Sequence, residues 1–278
     1  MTTNFIIHEQ AKTYEWAGDC FLSIKSFYHG TADYAIGARQ YKVNEENFLI
    51  LNECTKYRLI IDTPTPTESF CVFFSPDFVS QTLTNYCATD EELLDHSPKK
   101  QTGISMFERN YTHQGALSFI LLQGRKASKL GMSSLARDEF YLDLLTALFR
   151  QNFASGCTAL GLESKKKSTR LEIYQRLYHA KDFMDSNFQK DLGLYQIAAI
   201  ACMSPNHFLR NFKQLFHQRP FHYLSMLKIR KAKHQILTTD KTIQTIARDV
   251  GYSSMSNFTH YFKTITGYSP SQLRKGDI

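Results

Sequence analysis

The sequence predicts an α+β chain: a β-barrel or sandwich first, then trailing helices, then an all-α domain built from two helix-turn-helix units. Three observations carry this. Short apolar runs bounded by turn residues fill roughly the first 100 residues. A helical period replaces them near Gly115. From Ile197 onward one helix-turn-helix pattern is written twice. The 278 residues, 42% hydrophobic and 21% charged, suffice for about two domains with ordinary cores.

Taken in order, Phe48–Leu51 and Arg58–Ile61 read as strands joined by a hairpin loop, Asn52–Lys56. Pro64 and Pro66 mark a Thr/Pro loop between strands, and Ser69–Phe74 is a further strand. Ser75 caps a short helix with Pro76 in its first turn. After Gly115, Leu117, Ile120 and Leu121 form one helical stripe. A longer helix follows over Ser133–Phe153, with Leu135, Leu142, Leu145 and Phe149 in a near-heptad seam. The seam suits either a helix packed on its own domain or a dimer helix. Its place just before a linker favours the dimer helix. The expected domains are therefore 1–153, regulatory and dimerising, and 171–278, with the Gly/Ser/Lys-rich stretch 154–170 as linker. In the last domain, Ile173, Leu177, Phe183, Met184 and Phe188 continue one stripe.

Several classes are excluded. No apolar run approaches the ~18 residues of a membrane span. The N-terminus lacks the basic-then-apolar order of a secretory signal. The six cysteines form no CxxC pair, so no zinc knuckle or redox motif is expected, and scattered thiols suit a reducing, cytoplasmic compartment. No cofactor or metal is expected. His8, His29, His96 and His113 are dispersed, with no H-x-H cluster, and no Ser/His/Asp, Walker or Rossmann signature stands anywhere in the chain.

The net charge of +7 is unevenly split. Residues 1–164 hold 14 Lys+Arg against 19 Asp+Glu, and residues 165–278 hold 19 against 7. A basic second half of +12 points to a polyanionic partner there.

That half carries the repeat. Ile197-Ala198…Met203-Ser204…Phe208-x-Arg210-x-Phe212-Lys213 is echoed by Ile246-Ala247…Tyr252-Ser253-Ser254…Phe258-x-His260-x-Phe262-Lys263, with one extra residue in the second turn. The units span about 194–216 and 242–266. In the second, Ile243, Ile246 and Val250 share a face, Gly251 ends the helix, and Ser254 caps a helix whose buried side is Phe258, Tyr261 and Phe262. In the first, Ser204 caps, Pro205 takes the first helical position, and Phe208, Phe212, Leu215 and Phe216 point inward.

The outer faces hold Asn206, His207, Leu209, Arg210 and Lys213 in one copy, and Met255, Ser256, Thr259, His260 and Lys263 in the other. An α-helix fits the DNA major groove. Asn pairs with adenine, Arg with guanine, Leu and Met with the thymine methyl, and Lys with phosphate. The helix Phe221–Leu237 joins the two units. Its Arg230, Lys231 and Lys233 suit phosphate or solvent equally.

Residues ~175–276 resemble the DNA-binding domain of the AraC/XylS-type transcription regulators. The resemblance rests on Ile197-Ala198, Ser204-Pro205, Arg210-x-Phe212-Lys213, Lys228-x3-Ala232, Ile246-Ala247-x2-Val250-Gly251-Tyr252, Phe262-Lys263 and Gly267-x-Ser269-Pro270-x3-Arg274. It implies two recognition helices in successive major grooves of double-stranded operator DNA, with Asn206, Leu209, Arg210, Met255, Ser256 and His260 facing bases. His260 and Lys228 stand where the family usually has Arg, Ser254 where it has an acidic residue, and Asn257 where it has an aromatic. The first half is similar, more weakly, to the cupin-like effector domain and dimer helices of such regulators. This implies a homodimer, a possible small-molecule effector near Trp16, Tyr28, Tyr34 and Tyr41, and contact with RNA polymerase if the chain is an activator. Core packing is the alternative role for each of these aromatics. The competing functions are a metal-dependent cupin-type enzyme with a basic appendage and a non-specific architectural DNA binder.

Overall fold

Strand alternation builds the first half. In the computed structural model, which describes residues 3–88, 104–160 and 167–275, the chain divides into two units, Met1–Gly161 and Leu162–Ile278. In the first, seven antiparallel strands form one barrel-like sheet: β1 (Phe5–Gly18), β2 (Leu22–Tyr28), β3 (Ala32–Ile36), β4 (Arg39–Val43), β5 (Asn47–Leu51), β6 (Tyr57–Phe74) and β7 (Asn110–Thr112). The order is β4-β3-β6-β2-β5-β7, with β1 on the other side of β6. β6 thus holds three partners: β1 along most of its length, β3 at 58–60 and β2 at 68–74.

The period of two sends alternate residues to opposite faces. Leu22, Ile24, Phe48, Ile50, Phe70, Val72 and Phe74 face two helices, α2 (Gly115–Leu130) and α3 (Ser134–Leu160), and meet Leu117, Leu121, Leu144 and Leu148. Phe27, Tyr34, Leu49, Leu51, Tyr57, Leu59, Cys71 and Phe73 fill the concave interior. A Cβ on Gly124 would lie 2.1 Å from the Phe140 ring, so its absence lets α2 approach α3.

Two loop expectations fail. β5 and β6 do not pair as a hairpin, because β2 lies between them. The connection instead folds onto the start of β2, with the Cys54 N–H donating to the Cys20 carbonyl at 2.8 Å and Cys54 at φ +60°. The Thr/Pro stretch is not a loop between strands but part of β6. Asp62 pairs with Thr13 and Thr67 with Ala11, so residues 63–66 stand opposite Lys12 alone. Pro64 and Pro66 sit where the ladder asks for no N–H.

The helix after this strand, α1 (Pro76–Cys87), opens as expected, with the Phe78 N–H donating to Ser75 Oγ at 3.4 Å. The long helix α3 runs past Phe153 to Leu160, into the stretch read as linker. Its end is clamped: buried Ser155 donates to the Gln151 carbonyl and accepts from Arg109, and Asn152 bonds the backbone of Ser105 and Phe107. The single dimer seam is also corrected. Leu145 and Phe149 are wholly buried in their own core, where Tyr86 of α1 lies against Phe149, while Leu135 and Leu142 stay 70% and 49% exposed. The stripe is continuous, but the domain covers only its later half.

A buried carboxylate joins the sheet to α2. Glu68 on β6 accepts from Arg125 Nε (2.7 Å) and Nη2 (2.8 Å), Lys129 Nζ (2.9 Å) and His8 Nε2 (2.8 Å). The Arg125 guanidinium lies 3.6 Å above the Tyr28 ring. These hydrogen bonds, Arg125's first, hold the carboxyl well below the usual carboxylate range.

The second unit is helical: α4 (Lys167–Ser186), α5 (Leu194–Ile200), α6 (Pro205–Phe216), α7 (Pro220–Thr238), α8 (Ile243–Asp249), α9 (Met255–Thr266) and α10 (Pro270–Lys275). α7 is the spine: it contacts α4 and α6, and also α8, α9 and α10. Its Ile229, Ala232 and Ile236 pack with Ile246, Val250, Phe258, Phe262 and Leu273. Tyr261 is not on the buried side of α9; it is 45% exposed. Fifty residues earlier, Asn211 is buried, because its short side chain folds back to donate to the His207 carbonyl at 2.7 Å. Leu215 and Phe216 are half-buried.

Candidate nucleic-acid interface and barrel cavity

The two helix-turn-helix units share one turn geometry. In α5–α6 the N–H groups of Cys202 and Met203 donate to Ala199 and Ala198 carbonyls at 2.9 and 3.0 Å. In α8–α9 those of Gly251 and Tyr252 donate to Arg248 and Ala247 at 2.9 and 2.9 Å. Both patterns satisfy the orphan carbonyls of a helix end through one left-handed residue. That residue is Gly251 at φ +81° in the second turn and Cys202 at φ +51° in the first. Each following helix is capped by a serine: Ser204 Oγ accepts from the His207 N–H and Ser254 Oγ from the Asn257 N–H, both at 3.4 Å.

The second turn is gripped from two sides. Lys228 on α7 donates to the Gly251 carbonyl at 3.0 Å, and burial lowers its pKa. The Gln189 carbonyl lies where a Cβ on Gly251 would be, 2.1 Å away. The sequence placed Lys228 in the family pattern, with Lys in place of the usual Arg, but gave it no role. Its role as a tie was signalled by its place on the helix between the units.

On α6, Asn206, Arg210 and Lys213 are exposed, with the cap Ser204, while His207 and Leu209 are half-buried. On α9, Met255, Ser256, His260 and Lys263 are exposed and Thr259 half-buried, and they line a shallow concavity. Among the described residues, the side chains of Asn206, Arg210 and Lys213 make no intramolecular hydrogen bond or ion pair, so their donors are available to a partner. On α7, Lys233 donates to the Tyr268 hydroxyl at 3.0 Å, and Arg230 is exposed.

The barrel holds a cavity of about 580 Å³. Trp16 and Tyr34 line it; Tyr28 and Tyr41 do not. Tyr28 sits on the helix side of the sheet beneath Arg125, and Tyr41 is core, its hydroxyl directed at the Glu108 carbonyl (3.4 Å). The inward residue missed from sequence is Lys25. It is 1% exposed and lines the cavity, with Nζ 3.6 Å from the Phe73 ring centroid and 5.2 Å from that of Tyr57. Burial pulls its pKa down to about 8. Among the described residues, no three His, Cys, Asp or Glu side chains converge as a metal-holding group, and no helix is long and apolar enough to cross a membrane.

Residues 197–276 match the family model of a helix-turn-helix domain. The chain is 33% identical over 87 residues to an uncharacterized HTH-type transcriptional regulator of Haemophilus influenzae, covering 31% of this chain and 29% of that protein. It is 32% identical over 94 residues to the bifunctional transcriptional activator/DNA repair enzyme AdaA of Bacillus subtilis, covering 34% and 44%. It is similar to the C-terminal domain of AraT, a response regulator from Geobacillus stearothermophilus, at 30% identity over 36% of this chain and 84% of that one, with a TM-score of 0.35. The chain spans less than half the length of these two curated relatives. The paired turns and capped helices are thus a helix-turn-helix domain.

Proposed function

We propose that this chain is a sequence-specific, DNA-binding transcription regulator, with α6 and α9 reading major grooves of one duplex. The observation that carries the reading is the pair of outward faces at matched repeat positions, free of internal partners on α6, in a half of charge +12. Arg210 and Asn206 offer the donors that guanine and adenine edges accept, Leu209 and Met255 suit the thymine methyl, and Lys213 and Lys263 reach phosphate. The 19-residue α7 spans roughly 28 Å at 1.5 Å per residue. With its flanking turns this approaches the ~34 Å between successive grooves on one face of the duplex.

The N-terminal barrel, in this reading, senses a small effector, and the protein acts in the cytoplasm as a homodimer. Leu135 and Leu142, exposed on α3, are the dimer contacts, and an activating form meets RNA polymerase.

The test is binding to operator DNA, found by footprinting upstream of neighbouring genes, against random DNA. Arg210→Ala should lower operator affinity by about 1–3 kcal/mol and relax preference at one base pair. Lys213→Ala should weaken binding to all sequences and reduce the salt slope by about one unit. Equal loss for Arg210→Ala on operator and random DNA would overturn base reading and favour an architectural binder.

A further inference from the structure

Lys25 is an anomaly of the barrel. It projects from β2 into the cavity, is 1% exposed, and makes no hydrogen bond or ion pair among the described residues. The titratable groups that act on its charge are the thiols of Cys71 and Cys20, both held neutral by burial that raises their pKa. The phenols of Tyr34 and Tyr57 face the same space and are likewise pushed up. The carboxylates lining the cavity, Glu9, Asp19 and Glu53, do not reach the amine. An aromatic ring face supplies part of a counter-charge, but far less than a carboxylate.

We infer that the barrel cavity binds a small monocarboxylate with an apolar body, its carboxylate paired with Lys25 and its body against Trp16, Tyr34, Tyr57 and Phe73. The inference rests on the effector-sensing part of the proposed function. A buried cation without a partner is costly, and an incoming anion is the group that relieves it. The walls choose among anions. Trp16 lies 4.7 Å from Tyr57, and Tyr34 5.3 Å from it, a surface that favours an apolar body over hydrated phosphate. A volume of about 580 Å³ suits a ligand of that size.

The chain supplies its own reporter, since Trp16 is its one tryptophan. The full-length protein is titrated with 4-phenylbutyrate and octanoate, with their methyl esters, and with inorganic phosphate, reading Trp16 fluorescence and thermal midpoint. The acids should bind and the esters and phosphate should not; the phenyl and alkyl arms show which body the walls prefer. Affinity for the acid should fall about tenfold per pH unit above 8, as Lys25 loses its proton, and this needs no variant. Lys25→Met should cut acid affinity about tenfold or more, yet raise the midpoint of the ligand-free protein, whereas a merely structural lysine would lower it. Equal binding of acid and ester, a flat pH profile, binding that survives Lys25→Met, or no binding by any acid would overturn the inference. Operator affinity is measured separately. Its retention alongside failed ligand binding sinks the cavity alone, and its absence alongside intact ligand binding sinks the regulator alone.

Discussion

Replacing Glu68 by Gln tests the charge cluster that fastens β6 to α2. The carboxylate oxygens take four contacts: Arg125 twice, Lys129 and His8, between 2.7 and 2.9 Å. Gln keeps one acceptor oxygen and turns an amide donor toward groups that are themselves donors, so about half the contacts fail. At about 1.5–3 kcal/mol for each hydrogen bond to a charged group, the loss is about 3–6 kcal/mol. Lys129, with a side chain 49% exposed, regains water, and Arg125, 17% exposed, does not. That trims the cost to about 3–4 kcal/mol, or about 6–16 °C in the midpoint of a domain this size. Scanning calorimetry on the full chain at pH 7 measures it. Because the Glu68 pKa is depressed on folding, its stabilisation is complete above the unfolded pKa of about 4.3 and is lost as pH falls below it. The gap between wild type and variant should therefore narrow in acid. A midpoint within about 2 °C of wild type at pH 7 would refute the reasoning.

Other substitutions separate further readings. Leu145→Ala should cost about 2–5 kcal/mol and leave the oligomeric state unchanged, whereas Leu142→Glu should leave monomer stability intact and, if the dimer contact holds, abolish association in sedimentation. Gly251→Ala meets both a φ of +81° and the Gln189 carbonyl, so it should cost well over the roughly 1–2 kcal/mol expected of Gly267→Ala, which has a φ of +86° in open space. Urea unfolding of the two variants compares them, and similar midpoints would contradict the close approach. His113 is half-buried between Tyr28 and Phe48 with both ring nitrogens covered, and this desolvation lowers its pKa. The fold thus favours its neutral form, and the stability this contributes is present above pH about 6.5 and is lost as pH falls below it. His113→Phe should flatten this part of the stability–pH curve, and an unchanged slope between pH 6.5 and 5 would count against it.

The helical domain was the more legible part of the sequence because its signals are local. Ser204-Pro205, Gly251 and the phenylalanines at 208, 212, 258 and 262 each act within a turn or two of where they stand. Tyr261 misled because its helical angle resembles a buried position that only the shorter Asn211 occupies in the other copy. In the barrel the signals are non-local. β2 reads Leu-Ser-Ile-Lys-Ser-Phe-Tyr, yet all seven residues are buried. Its polar members are covered by neighbours up to fifty residues distant, which no alternation rule reveals. The hairpin expected between β5 and β6 failed for the same reason, since another strand separates them. Of the cavity, Trp16 and Tyr34 were singled out as aromatics, but Lys25 was not. A lysine reads as surface until the sheet closes over it.

β6 has one further consequence. Thr67, Ser69, Cys71 and Phe73 look into the chamber, while Glu68, Phe70, Val72 and Phe74 look out toward the helices. The chamber and the Glu68 fastening lie on opposite sides of a single partition. Sliding it by one residue would exchange the two sets outright, so the partition transmits load only by bending or twisting in place.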